Sequence, residues 1–392
     1  MKILRVHNYY QQAGGEDAVV ASEIALLRAR GHEIVEYFVH NDAIEQMGRV
    51  EVATRTIWNR QSRRTLGELI ARERPDIAHF DNTFPLVSPS AYYAARDAGV
   101  PVVQTLHNYR LLCVNATLFR EGRVCEQCIG RFIPWPGVTH ACYRDDRKAS
   151  AVVAAMLSVH RAMGTYDRAI DVYIALTDFA RRKYIEGGLP QHKIVVKPNF
   201  LDADPGVGSG DGGFALFVGR MTEEKGVRVL VDAWRRVGRR LPLKVVGSGP
   251  LEEEIRSAAG GVEGIEMLGR RPLDEVMAMM GQATCLVFPS TWYEGLPRTI
   301  VESFAKGAPV IASDLGSMAD LVDHGQTGLK FKPGDPEDLA RQIEHLLADP
   351  AKLSAMRAAA RAVYESKYTA EVAYEALMGI YQAAKKTADE RR

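Results

Sequence analysis

Glu294 and Glu302 are separated by seven residues in the stretch Ser290-Thr-Trp-Tyr-Glu-Gly-Leu-Pro-Arg-Thr-Ile-Val-Glu302. Pro297 between them suits the first position of a helix, where a missing N–H costs nothing. The free N–H groups of the turn that follows, with the helix dipole behind them, make an anion site. Glu302, about a turn and a half further on, is placed to accept hydrogen bonds from ligand hydroxyls. The segment thus offers a diphosphate-sized helix start between two carboxylates, although the same residues also fit an ordinary helix start with two surface Glu. A second stretch, Gly219-Arg220-Met-Thr-Glu-Glu-Lys225-Gly226, delivers two cations at a strand end. Arg220 and Lys225 there suit a phosphate pair that leaves carrying negative charge, or are two solvated cations. A third turn, Gly247-Ser248-Gly249-Pro250, lacks the spacing of a dinucleotide fingerprint.

Four of the five cysteines, Cys113, Cys125, Cys128 and Cys142, fall in the pattern C-x11-C-x2-C-x13-C. Four thiolates so grouped can hold a tetrahedral Zn²⁺, with His140 as a substitute ligand. A closed set of four ligands is structural, since catalysis needs an open position. The alternatives are thiols that pack locally or pair as disulfides. Cys285 lies in the apolar run Cys285-Leu-Val-Phe288 and reads as a core residue.

The elements that must position these groups alternate. Strands are predicted over 1–8, 32–39, 76–80, 100–105, 172–176 and 193–197, interleaved with helices over 18–30, 149–163 and 178–186. The glycine- and aspartate-rich stretch 202–213 reads as a linker. After it come strands over 214–218, 243–246, 265–268, 285–288 and 310–312, each followed by a helix, and a long final helix begins at Ala370. This order predicts an α/β fold of two doubly wound, Rossmann-like domains. Their ligands belong beyond the carboxyl ends of the strands, in a cleft at the linker.

Composition bounds the function. The chain has 392 residues, 46% hydrophobic and 25% charged, with 50 basic and 49 acidic side chains and a net charge of +1. That balance argues against nucleic acid held by bulk charge. No run is long enough for a membrane span. The start, Met1 to Asn8, reads as a buried strand and not as a signal peptide, so the expected location is cytoplasmic. Residues 49–74 carry Arg49, Arg55, Arg60, Arg63, Arg64, Arg72 and Arg74 between apolar side chains. They are either a solvated helix face or a peripheral docking surface at the inner face of a membrane.

Taken together, the E-x7-E pair in its Tyr-Glu-Gly-Leu-Pro setting and the G-R-x-x-x-E-K-G element resemble the retaining glycosyltransferases of family GT4. The V-G-x-G-P turn, the run Gly307 to Gly316 and Asp323-His-Gly-Gln-Thr-Gly328 agree, and the likeness covers nearly all of 214–365 in order. The resemblance implies the GT-B fold. An acceptor domain would span 1–201 with a cysteine-rich insert at 113–142, and a nucleotide-sugar domain 202–369. The helix 370–392 would cross back onto the first domain. It also implies that Arg220 and Lys225 neutralise the donor diphosphate and that Glu302 holds the ribose. Glu294 with Gly295, Leu296 and Pro297 would hold the donor sugar. Gly247, Ser248, Gly249, Pro250, Gly269 and Arg270 would border the base. In the N-terminal half, Gly14 and Gly15 resemble the loop that approaches the donor phosphate, and His107 the histidine near the anomeric carbon. Many relatives have Asp after that histidine, where this chain has Asn108.

The function so implied is retaining transfer of a sugar from a nucleoside-diphosphate sugar, UDP-linked rather than GDP-linked, to an acceptor hydroxyl. No catalytic metal is expected. The acceptor would be a saccharide or lipid-linked saccharide in polysaccharide or glycolipid assembly. The alternatives are a nucleotide-sugar epimerase or phosphorylase on the same plan, or a non-catalytic nucleotide-sugar-binding or scaffold protein.

Overall fold

A computed structural model describes residues 1–11 and 14–390 as two units. Gln12 and Ala13 of the predicted glycine turn, and Arg391 and Arg392 at the end, lie outside the described residues. The first unit comprises 1–118, 125–198 and 373 onward; the second comprises 119–124 and 199–372.

In the first unit, β1 (Lys2–Tyr9), β2 (Glu33–His40), β3 (Ile77–Phe80) and β4 (Val102–Leu106) begin the sheet. β5 (Phe119–Arg120) and β6 (Arg123–Val124) form a separate antiparallel hairpin, which groups with the second unit. β7 (Val172–Ala175) and β8 (Ile194–Val196) complete the first sheet. Its order is β2-β1-β3-β4-β7-β8, all parallel. β3, β4 and β7 are buried along their whole length, as strands covered on both faces must be. The final helix, Ala370–Glu390, supplies Leu377, Ile380, Tyr381 and Ala384 to the core around Ile3, Ile77 and Val103. No helix among the described residues is long and apolar enough to cross a membrane.

The second sheet uses β9 (Ala215–Val218), β10 (Leu243–Val246), β11 (Ile265–Gly269), β12 (Cys285–Phe288), β13 (Val310–Ser313) and β14 (Gly328–Phe331). The order is β11-β10-β9-β12-β13-β14. Strand order reverses between β9 and β12, so a ligand crevice is expected at their carboxyl ends. Trp234 and Phe304 are fully buried on the two faces, and Cys285 is a core residue.

One sequence boundary shifts. The first helix is Gly15–Ala29, three residues earlier than the apolar pattern indicated, because Asp17 accepts from the Gly14 N–H at 2.9 Å and caps the chain there. Residues 49–74 form two helices, Arg49–Ile57 and Arg60–Glu73, parted where the Asn59 side chain caps Ser62 N. Their basic character is largely offset: Arg55 pairs with Glu51, Arg63 with Asp97, Arg64 with Glu68 and Arg72 with Glu73. These pairs are weak, and they leave Arg49, Arg60 and Arg74 outside ion pairs among the described residues.

Candidate functional site

In the second unit, the residues that follow β9 and β12 converge. Gly226, in the left-handed region at φ +68°, starts the helix Val227–Val237 and lies so near the chain after β12 that a Cβ would sit 1.9 Å from Pro289 O. Glycine is therefore required there. Just before it, Lys225 Nζ reaches Glu294 Oε1 at 2.6 Å, and Ser290 Oγ donates to the same oxygen at 2.7 Å. The Ser317 hydroxyl donates to the backbone carbonyls of Glu294 and Gly295, which fixes the turn that carries them. Glu294 is buried, while Lys225 keeps partial exposure and lies 5.5 Å from the Trp292 ring. Trp292 Nε1 is buried without a hydrogen-bond partner, a free donor beside the carboxylate.

Pro297 caps the helix Arg298–Ala305 and is not itself in its first turn. The opening N–H groups of that helix are still the ones that lack helical acceptors. Glu302 faces back along the helix to Arg298 Nε at 3.0 Å. Burial raises its carboxyl above the usual range, and the Arg298 charge offsets this only in part. A buried carboxylate held at that cost suits a ligand role better than a structural one. Glu302→Gln should therefore leave Tm at neutral pH unchanged or higher, while nucleotide affinity falls at least about tenfold, roughly the value of a charge-assisted hydrogen bond. Thermal unfolding and calorimetry on one preparation check both halves.

The three glycine turns interlock. Gly247 sits at φ +135°, and a Cβ there would lie 1.9 Å from Gly219 O. Gly247 N donates to Gly269 O, Met221 N to Ser248 O, and Arg270 Nε reaches the Ser248 hydroxyl at 2.5 Å. Gly249 abuts the Met221 backbone. Arg220 is exposed and has no side-chain partner among the described residues. The second unit thus brings together Arg220, Lys225, Glu294 and the 247–250 turn at the strand-order reversal, but Lys225 is not free: it is held by Glu294.

In the first unit, His107 follows β4, and its Nε2 lies 3.2 Å from Asp81 Oδ1. Asp81 follows β3 and is gripped on its other oxygen by Arg5 Nη2 at 2.6 Å. Arg5 Nη1 also contacts Glu23 at 2.9 Å and His79 Nδ1 at 2.9 Å, and Glu23 holds Lys197 Nζ at 2.5 Å. His79 Nδ1 meets the Tyr381 hydroxyl of the final helix. Burial and then Arg5 push His79 down to about 3, so it is neutral. Asp81 is held well below the carboxylate range because Arg5 and the neighbouring histidines outweigh its burial. For His107, burial opposes the charge, yet the Asp81 hydrogen bond and the Glu16 carboxylate raise its pKa.

Sequence reading did not find Asp81 or Glu16. Glu16 is on the first turn of the first helix, and the Asn108 amide donates to it at 3.3 Å. Its other oxygen is buried without a partner, and burial raises its pKa. A carboxyl therefore stands beside Asn108, contributed by the helix after Gly14 and Gly15 rather than by the residue after His107. Its position directly behind a glycine pair was the available signal.

The four cysteines all lie in the first unit. None is in a disulfide. Burial first, then the nearby Cys113, Cys142 and Cys125, raises the Cys128 thiol to about 11, so the four are neighbours. Yet no three of their sulfurs, nor His140, come within 4.8 Å of one another among the described residues. Cys128 instead points its thiol at Pro134 O, 3.9 Å away, and His140 is exposed.

With this geometry in place, the chain can be compared with known proteins. Residues 14–199 match the family model described as glycosyl transferase 4-like domain, and residues 213–349 match glycosyl transferases group 1. An uncharacterised glycosyltransferase of Methanocaldococcus jannaschii is 33% identical over 170 residues, covering 42% of this chain and 48% of that protein. The aligned region thus spans about half of that curated relative. The alpha-D-kanosaminyltransferase of Streptomyces kanamyceticus is 29% identical over 311 residues, covering 74% of this chain and 72% of the relative. Among solved structures, Anabaena Alr3699/HepE in complex with UDP superposes with a TM-score of 0.69 at 17% identity, covering 98% of this chain and all of that one.

Proposed function

We propose that the chain, whose two halves match a glycosyl transferase 4-like domain and glycosyl transferases group 1, transfers a sugar from a nucleoside-diphosphate sugar to an acceptor hydroxyl. The observation that carries the reading is the group around Glu294. A buried carboxylate, a lysine on it, an unpartnered arginine and a helix start meet where strand order reverses. In this role Glu294 and the Gly295–Leu296 backbone hold the donor sugar, Arg220 and Lys225 meet the diphosphate, and Glu302 takes the ribose. The turns at Gly247–Pro250 and Gly269–Arg270 border the base. The developing charge on the leaving diphosphate is then stabilised by side chains already in place. His107, held by Asp81, positions the reacting sugar, and Gly14 and Gly15 approach its phosphate.

We further propose a UDP-sugar donor and transfer with retention. The UDP-bound neighbour of the same fold supports the former. The resemblance of the Glu294–Glu302 element to that of the retaining family supports the latter, with the leaving phosphate taking the acceptor proton. The acceptor is a saccharide, free or carried on lipid.

A screen of UDP-, GDP-, ADP- and dTDP-sugars by thermal stabilisation and slow donor hydrolysis tests this reading. One class should raise Tm in the wild type and not in Arg220→Ala. Stabilisation by none, or equally in the variant, would remove the donor assignment and favour a scaffold role.

A further inference from the structure

The segment between Cys128 and His140 carries a feature the transfer reaction does not use. Phe132 is 56% exposed, Ile133 55% and Trp135 53%. Three large apolar side chains so close in sequence and so open to water are not the scattered exposure of an ordinary surface. They are not a frayed tip either. Arg161 on the helix Arg147–Ala162 donates to the carbonyls of Arg131 and Phe132, and the Ser158 hydroxyl reaches Phe132 O at 3.4 Å. The Cys128 thiol faces Pro134 O from the other side. The backbone is pinned and the apolar side chains are turned outward. The helix below adds exposed Val159, and its C-terminal cap adds exposed Met163.

Charge identifies what such a wedge meets. Residues 129–140 contain no Asp or Glu and carry Arg131. The Arg131 guanidinium lies 5.3 Å from the Trp135 ring centroid, which places a cation at the rim of the apolar cluster. Asp167 is the carboxylate among the residues lining the groove beside it. We propose that this wedge, Phe132-Ile133-Pro-Trp135 with Arg131, is a membrane-docking element that seats the first unit on an anionic lipid surface. The aromatic ring and the aliphatic side chain enter the headgroup boundary while the Arg131 guanidinium stays among lipid phosphates. This moves membrane contact from the ion-paired stretch 49–74 to the cysteine-bearing segment, whose thiols then serve to shape the loop. It goes beyond the transfer reading and does not depend on it.

The test is co-sedimentation of the full chain with vesicles of phosphatidylcholine alone and of phosphatidylcholine with phosphatidylglycerol. The wild type should bind the anionic vesicles and release them as salt rises. Phe132→Ser/Trp135→Ser should weaken that binding at least about tenfold, and Arg131→Gln about fivefold, with Tm unchanged because these positions are exposed. Donor stabilisation should be the same in all variants, which separates failure of this proposal from failure of the donor site. No binding by the wild type, or equal binding by the double variant, would overturn it. So would light scattering that shows the wild type to self-associate through these residues, which would assign the face to a second copy of the chain.

Discussion

Lys225→Ala lowers kcat/KM for sugar transfer by about 10²–10³, the usual loss when one preorganised donor to a developing oxyanion is removed. The structure gives the reason. Lys225 is delivered to the Glu294 carboxylate at 2.6 Å by a turn that glycine alone permits at position 226. Its ammonium is therefore fixed before substrate arrives and costs no reorganisation when charge builds on the leaving group. Lys225→Arg should recover part of the rate, because the charge is restored while the reach to Glu294 is altered. The Tm of the alanine variant should fall only modestly, since Ser290 still donates to Glu294. Steady-state kinetics with thermal unfolding separate the roles. If rate and Tm fall together and arginine restores neither, Lys225 is a structural counter-ion to Glu294 and no more.

The second large effect lies in the first unit. Glu23→Gln should destabilise the protein by about 3–5 kcal/mol, the cost of leaving a buried cation without its partner. For a unit of this size that is a fall in Tm on the order of 10 °C. Arg5 and Lys197 both rest on Glu23, and all three side chains are within a few per cent of full burial. Burial alone would raise Glu23, but Lys197 and Arg5 outweigh it and hold it at about 2. A depressed carboxylate contributes its stability above the ordinary carboxylate range and loses it as pH falls toward the folded value. The gap between wild type and variant should therefore be full at pH 7 and narrow in acid. Glu23→Gln/Lys197→Met removes one charge of each sign and leaves Arg5 with Asp81, so it should cost less than Glu23→Gln alone. A double-mutant cycle followed by urea unfolding checks this, and strict additivity would mean that the four charges do not act as a unit. The same cluster orients Asp81 and through it His107, so Glu23→Gln should also lower the His107 pKa, readable by NMR titration.

The sequence was most legible where backbone and chemistry share one signal. The strands β9 and β12 are short apolar runs ended by glycine or proline, and the turns after them carry Arg220, Lys225 and Glu294 in readable order. The fold class followed from that alternation. The helix Pro350–Lys367 and the strand β14 were not read, because one is alanine-rich with a weak apolar stripe and the other has only four residues after a turn. The buried cluster stayed hidden for a different reason. Arg5, Glu23, Asp81 and Lys197 come from four elements, and nothing local marks an arginine inside β1 as buried; only the sheet order makes β1 and β3 neighbours. Glu16 was missed because its partner, Asn108, is supplied by the turn after β4 and not by its own helix. The cysteine spacing permits a tetrahedral site, but spacing alone does not aim the sulfurs.

The most direct measurement of the central claim is calorimetric titration of the wild type and Arg220→Ala with UDP and with UMP. A site in which Arg220, Lys225 and the start of the helix Arg298–Ala305 meet a diphosphate should bind UDP at least about tenfold more tightly than UMP, the gain of roughly one charge-assisted hydrogen bond to the second phosphate. In Arg220→Ala that preference should shrink severalfold or vanish while UMP affinity holds. Equal affinity for UDP and UMP in the wild type, or a preference untouched by Arg220→Ala, would contradict the account.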